Sequence, residues 1–206
     1  MEFSDWKPWY EKILKDFGYS REEDRKAAAL LADSRKTDSL SSLKDLHDKN
    51  VEIGGPYFDE SEASFTIAAG SAVEQIWEAD VEPDLVVTDL DGDKGLQLEL
   101  NLKNIPVVIH AHGDNIQTIE RWAKRFEGPV ISTCQCEPKF SGIYNFGGFT
   151  DGDRACFISD HFDADKIVLN GWDFENPFRG ENREKTKKLS WAKRLIKHLD
   201  IPIESL

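Results

Sequence analysis

The chain is short of cysteine, of long apolar runs and of positive charge. Its 206 residues include three cysteines, Cys134, Cys136 and Cys156. Three thiols cannot all pair, and one Cys-x-Cys lacks the second pair that a zinc site needs, so a disulfide scaffold and a structural zinc are excluded and reduced thiols are expected. The apolar runs, such as the one around Val107 to Ile109, fall far below the ~20 residues that cross a bilayer. No basic-then-apolar leader is evident, so a cytoplasmic protein without a membrane partner is expected. Against 26 Lys and Arg stand 39 Asp and Glu, a net charge of −13. That charge repels a phosphate backbone, which argues against nucleic acid as a partner. The remaining composition, 39% hydrophobic and 32% charged, suits one soluble globular unit with a small appendage.

The first fifty residues differ in texture from the rest. Trp6, Trp9, Tyr10, Ile13, Leu14 and Phe17 recur at three-to-four-residue spacing before Gly18, which predicts an amphipathic helix with a glycine stop. Ser20 and Glu23 have capping-box spacing, and a second helix is predicted from Arg21 to about Arg35, with a shorter third from Ser41 to Asp48. After Gly54-Gly55-Pro56 the pattern changes to short apolar runs alternating with helical segments. Strands are predicted at Ser64–Ala68, Asp84–Thr88, Val107–His110, Val130–Thr133 and Lys166–Leu169, and helices at Val73–Ala79, Ile116–Phe126 and Lys185–Leu199. This alternation implies a mostly parallel sheet. Between Leu96 and Leu102 the leucines alternate with polar residues, which favours a strand by period although Leu and Glu favour a helix. No internal repeat or low-complexity tract is present.

Ligands of open α/β sheets gather at the carboxyl ends of the strands. The first predicted strand runs into Ala69-Gly70-Ser71, a small-residue turn whose backbone N–H groups can hold phosphate or merely open a helix. The next delivers Thr88-Asp89-Leu90-Asp91-Gly92-Asp93. Three carboxylates in five residues against a buried strand suit Mg²⁺, with a solvated acidic loop as the plainer interpretation. A third strand ends His110-Ala111-His112-Gly113-Asp114-Asn115. Two histidines at a spacing of two share a side, as metal ligands or acid/base groups do, and Asp114 or Asn115 can cap the following helix. In Gly147-Gly148-Phe149-Thr150-Asp151-Gly152-Asp153-Arg154, Asp151 can cap a helix with Asp153 in its first turn, or the segment can serve phosphate and metal. From Phe178 to Lys197, eight basic residues face two acidic ones, a local +6 in a chain whose remainder carries −19. Such a segment is a solvated face or places a lysine over phosphate.

Taken together, Thr88-Asp-Leu-Asp-Gly-Asp93, His110-Ala-His-Gly-Asp-Asn115, Gly148-Phe-Thr-Asp-Gly-Asp-Arg-Ala155 and Lys188-Leu-Ser-Trp-Ala192 resemble, in order and spacing, the archaeal 6-hydroxymethyl-7,8-dihydropterin pyrophosphokinase family, which is related in fold to thiamine pyrophosphokinases. The resemblance spans roughly Ser64 to Leu199. The family's turn after the first strand typically reads Gly-x-Gly-Pro-Ser-Leu, where this chain has Ala68-Ala69-Gly70-Ser71-Ala72-Val73. The resemblance implies an α/β fold, a mostly parallel Rossmann-like sheet flanked by helices, with an N-terminal helical segment over residues 1–50 and a catalytic domain over 51–206. It implies an ATP-dependent diphosphotransferase that acts on a reduced pterin and releases AMP, with Mg²⁺, in tetrahydromethanopterin or folate-type cofactor synthesis. The expected roles are Asp89, Asp91 and Asp93 for Mg²⁺; Asp114, Asn115, Asp151 and Asp153 for a second metal or the substrate hydroxyl; Arg154 with Lys187 or Lys188, and Gly70 with Ser71, for phosphate. His110 or His112 is the expected proton acceptor or metal neighbour, and a homo-oligomer is compatible with the sequence. Three alternatives stay open: a thiamine pyrophosphokinase-like enzyme, a haloacid-dehalogenase-type phosphatase using Asp89 as nucleophile, and a non-catalytic nucleotide-binding module.

Overall fold

Parallel strands are covered on both faces, and short apolar runs bounded by turns are what such strands require. The computed structural model describes residues 1–34, 39–60, 63–178, 180 and 182–205. Its strands are β1 (Asn50–Gly54), β2 (Phe65–Ala69), β3 (Leu85–Thr88), β4 (Val107–Ala111), β5 (Val130–Cys134), β6 (Ile143–Tyr144), β7 (Lys166–Asn170) and β8 (Ile203–Ser205). They form one sheet in the order β6-β5-β4-β3-β2-β1-β7-β8, and every pairing is parallel. The chain steps outward from β1 to β6 and then returns to lay β7 on the free side of β1. The helices are α1 (Phe3–Phe17), α2 (Arg21–Ser34), α3 (Ala72–Glu78), α4 (Lys94–Leu102), α5 (Ile116–Trp122), α6 (Asp151–His161) and α7 (Arg183–Ile196). No helix among the described residues is long and apolar enough to cross a membrane.

Alternate residues of each strand feed two cores, as the two-residue strand period demands. Val86 of β3 and Val107, Ile109 and Ala111 of β4 face the core shared with α1 to α5. Leu85, Val87 and Val108 face the opposite core, with Ala155, Cys156 and Ile158 of α6. The N-terminal helices take part in the first core through Trp6, Tyr10, Ile13, Ala27, Ala28 and Leu31, all buried. Truncating a buried ring such as that of Trp6 to alanine would cost about 3–5 kcal/mol. Gly18, at φ +73°, ends α1 in the left-handed turn that glycine adopts most readily. The Asp16 carboxylate then accepts hydrogen bonds from Trp191 Nε1 at 2.7 Å and Lys187 Nζ at 3.1 Å, fastening α1 to α7. The three cysteines are buried and free.

Seven elements depart from expectation, two of them the short strands β6 and β8, where none was expected. Residues 96–102 are helical: Asp93 caps α4 by accepting from the Gly95 and Leu96 N–H groups, and cap plus propensity override the alternation. The segment from Ser41 is a 3₁₀ helix over Leu40–Leu46, and the helix from Ile116 tightens to 3₁₀ geometry at Ala123–Arg125. β1 carries buried Glu52 between Val51 and Ile53, and its apolar run is too broken to stand out. α6 begins with Thr150 as its N-cap residue rather than Asp151. Arg35, Arg179 and Glu181 lie outside the described residues.

Candidate active site at the carboxyl edge of the sheet

A parallel sheet sends all its strand ends to one rim, and there Asp89, Asp91 and Asp151 bring one carboxylate oxygen each within 4.8 Å of one another. Two backbone segments build the cluster. After β3 the chain turns at Leu90, whose φ of +69° is strained for a residue with a β-carbon, and the buried Leu90 side chain anchors the turn in the core. The turn is closed by Leu90 N–H donating to Thr88 Oγ1 at 2.9 Å and Asp91 N–H donating to Asp89 Oδ1 at 3.1 Å. Gln97 on α4 and Asn115 after β4 donate to the carbonyls of Asp91 and Asp89, each at 2.8 Å. The other segment is the first turn of α6, where Asp151 Oδ2 accepts from the Asp89 N–H at 3.4 Å. Gly70, at φ +58°, passes so close that a β-carbon there would lie 2.8 Å from Asp151 Oδ2 and 3.4 Å from Asp91 Oδ1.

The three acids are electrostatically unequal. Burial disfavours the charge on Asp89, yet the hydrogen bond from His112, the Asp91 N–H and Arg154 outweigh it and leave its pKa below the ordinary value. Burial and then the charge of Asp89 push Asp91 up to about 6. Asp151 is pushed well above the carboxylate range by burial, then by Asp89 and Asp91. Three hard oxygen donors, in which the charge of Asp89 raises the pKa of the other two, fit a divalent cation such as Mg²⁺.

The two histidines part company. His110 is fully buried, its Nδ1 3.0 Å from Thr133 Oγ1, and burial depresses its pKa well below the usual histidine value. Because Thr133 Oγ1 donates to the Ile109 carbonyl, His110 Nδ1–H is the donor in that pair. It is a neutral core residue and cannot receive a proton from a bound substrate. His112 faces the cleft: its Nδ1 accepts from the Asp114 N–H at 3.3 Å, which leaves Nε2–H to donate to Asp89 Oδ2 at 3.2 Å. Asn115 is buried and bonded to backbone at His110, His112 and Asp89, so it braces the turn and does not meet ligand.

Other expected roles are reassigned by the geometry. Asp93 caps α4 outside the carboxylate cluster. Asp153 is fully buried and accepts from Phe149 N–H at 2.6 Å, from Thr150 N–H at 2.7 Å and from the Thr150 hydroxyl. Arg154 is buried, donating to the carbonyls of Gly148 and Phe149 at 3.1 and 2.9 Å, and it lines the base of the cleft that holds Asp89 and His112. Lys187 points to Asp16 on α1, whereas Lys188 overhangs the site, and so does Lys185, which sequence spacing alone did not single out.

Two clefts flank the cluster, sharing Asp91, Thr150, Asp151, Lys185 and Lys188. One is walled by Gly70, Ser71, Trp172, Pro177, Phe178 and Leu189. Trp172 is fixed there, since its Nε1–H donates to the Ile53 carbonyl at 2.8 Å and its ring lies against Gly152 too closely for any β-carbon. The other cleft holds Tyr19, Asp89, His112, Asp114, Gln135 and Phe149. Tyr19 comes from the α1–α2 junction.

Comparison with known proteins points to one family. The family described as 6-hydroxymethylpterin diphosphokinase MptE-like matches residues 58–177. A protein of Pyrococcus furiosus named 6-hydroxymethyl-7,8-dihydropterin pyrophosphokinase is 39% identical, covering 97% of this chain and 94% of its own length. Proteins of the same name from Methanocaldococcus jannaschii and Methanothermobacter thermautotrophicus are 32% and 33% identical, covering 99% and 97% of this chain and 98% and 96% of their own lengths.

Proposed function

The chain belongs to the MptE-like 6-hydroxymethylpterin diphosphokinase family, and from that premise we propose that it transfers diphosphate from ATP to the hydroxymethyl group of 6-hydroxymethyl-7,8-dihydropterin, releasing AMP, in tetrahydromethanopterin or folate-type cofactor synthesis. The observation that carries this reading is the convergence of Asp89, Asp91 and Asp151 between two clefts that share a pair of lysines. The acceptor oxygen forms a bond to the β-phosphorus as the bond from that phosphorus to the α,β-bridging oxygen breaks. AMP leaves with the electron pair, and the hydroxyl proton goes to the protein. Such transfers depend chiefly on alignment and on offsetting charge.

Mg²⁺ held by Asp89, Asp91 and Asp151 would supply the positive charge that the polyphosphate requires. Lys185 and Lys188 face the same anion from α7. The hydroxyl proton passes to the His112–Asp89 pair, whose Nε2 and Oδ2 lie 3.2 Å apart, with Asp114 4.0 Å from the ring. Arg154, locked on backbone carbonyls, offsets part of the cluster's charge.

The test is AMP release from ATP and Mg²⁺ with the dihydropterin or thiamine as acceptor. AMP with the pterin supports the proposal, and AMP with thiamine alone replaces the acceptor. Inorganic phosphate together with an aspartyl-phosphate trapped on Asp89 would overturn it in favour of a phosphatase.

A further inference from the structure

The two clefts differ in what they offer a heterocycle. The cleft beside Tyr19 contains Asp89, His112 and Asp114, none of which lines the cleft beside Trp172. Asp114, with its side chain 63% exposed, meets only the His112 ring, at 4.0 Å, among the described residues, so its carboxylate is available to a ligand. In the other cleft the corresponding acid, Asp173, is already committed, accepting from Glu175 N–H at 2.8 Å and from Asn176 N–H and Nδ2 at 3.0 and 2.7 Å. A 2-amino-4-oxopyrimidine edge presents two adjacent N–H donors that a free carboxylate pairs with bidentately. An adenine ring needs no anionic partner and is well served by apolar and aromatic walls.

Resting on the diphosphokinase reading, we infer that the Tyr19 cleft receives the pterin and the Trp172 cleft the adenosine end of ATP, so that the N-terminal helical segment supplies the acceptor-recognising wall. Tyr19 sits over that wall with Phe149, their ring centroids 6.4 Å apart, and Phe17 stacks on Tyr19 at 5.3 Å. The pterin ring lies against Tyr19, its amino-pyrimidine edge on Asp114, and its hydroxymethyl group on the side of His112 and Asp89. The polyphosphate crosses beneath Lys185 and Lys188, the cations common to both clefts. Phe178, in edge contact with Tyr57 at 5.4 Å, closes the nucleotide cleft from the far side.

The experiment measures binding of two probes separately to the whole protein in Mg²⁺: 6-hydroxymethylpterin by its fluorescence, and α,β-methylene-ATP by calorimetry. Asp114→Asn and Tyr19→Leu, both at the surface, should weaken the pterin about tenfold or more and leave the nucleotide analogue within about twofold. Phe178→Ala should do the reverse. The assignment is overturned if Asp114→Asn and Tyr19→Leu weaken the analogue and spare the pterin, or weaken both alike. Wild-type protein that binds the analogue but no pterin would instead strike down the acceptor reading on which this inference rests.

Discussion

The chain contains Asp-Gly-Asp twice, at Asp91-Gly92-Asp93 and at Asp151-Gly152-Asp153, and the two copies divide their labour alike but in different surroundings. In each, the first acid joins the carboxylate cluster and the second turns back onto the backbone at the start of a helix. Asp93 does this at the surface, bonded to two N–H groups at the head of α4. Asp153 does it in the core, where it holds the Phe149-Thr150 turn beside the buried Arg154. The pattern teaches that a metal-like density of carboxylates is partly scaffold: one acid of each pair joins the cluster, and its neighbour turns back to fix the helix start beside it.

The sharpest break in the comparison is between first and second positions. Asp89→Asn, Asp91→Asn or Asp151→Asn should lower AMP formation by about a hundredfold or more; metal-free Asp91→Asn and Asp151→Asn should melt no lower than wild type because each relieves like-charge repulsion, whereas Asp89→Asn, which gives up the contacts that hold its pKa down, should melt lower. Near-normal AMP production by Asp91→Asn at saturating Mg²⁺ would show that this cluster is not the metal site. Between the second positions, urea titration should place Asp153→Ala about 3 kcal/mol below wild type, since it strands buried donors and a buried guanidinium. Asp93→Ala should lose about 1 kcal/mol, the worth of one exposed cap. Equal losses would mean that the two copies are not differently embedded.

A smaller effect separates neighbouring lysines. Lys188→Met should raise the KM for ATP about tenfold, or about 1.4 kcal/mol, and Lys187→Met, which loses its contacts with Asp16 and the Phe17 ring, about twofold. The smallest effect is on pH dependence. An acid held at about 6 in the folded protein, above its usual 3.8, contributes stability that is complete below about pH 4 and lost as pH climbs through about 6. Metal-free protein should therefore melt lower at about pH 7.5 than at about pH 5; Asp91→Asn should flatten that slope and Mg²⁺ should reverse it. Scanning calorimetry across that range decides the point.

What could be read beforehand follows the same division. β2, β3, β4, β5 and β7 announce themselves as apolar runs, and α1, α2 and α7 by period and caps. β6 and β8 contain two and three residues, too few to carry a pattern, and β1 interrupts its apolar run with Glu52. The segment Gly147–Asp153 reads as a helix start or as a phosphate and metal element alike, and only the fold shows Thr150 as the N-cap residue with Asp153 turned back onto it. Asp89, Asp91 and His112 are visible from their position after strands. Spacing does not say whether Asp93 or Asp153 turns outward or back to its own backbone, nor which of Lys185, Lys187 and Lys188 a helix rotates toward the cleft.

The clasp between α1 and α7 also sets a clock. Asp16 and its partner Trp191 are 175 residues apart, and Trp6 donates to a carbonyl 129 residues downstream. At about 5–20 residues per second, a ribosome that has made α1 needs roughly 10–35 s more before α7 exists to receive it. β1 likewise waits for β7 on one flank. For that interval α1 has its partners in α2 and the central strands but not its clasp on α7, and the first wall of the Tyr19 cleft is synthesised long before the helix that overhangs it. Competence for diphosphate transfer is therefore gained in the closing moments of synthesis, and a chain stalled before Arg183 holds every carboxylate of the cluster without the cations that face it.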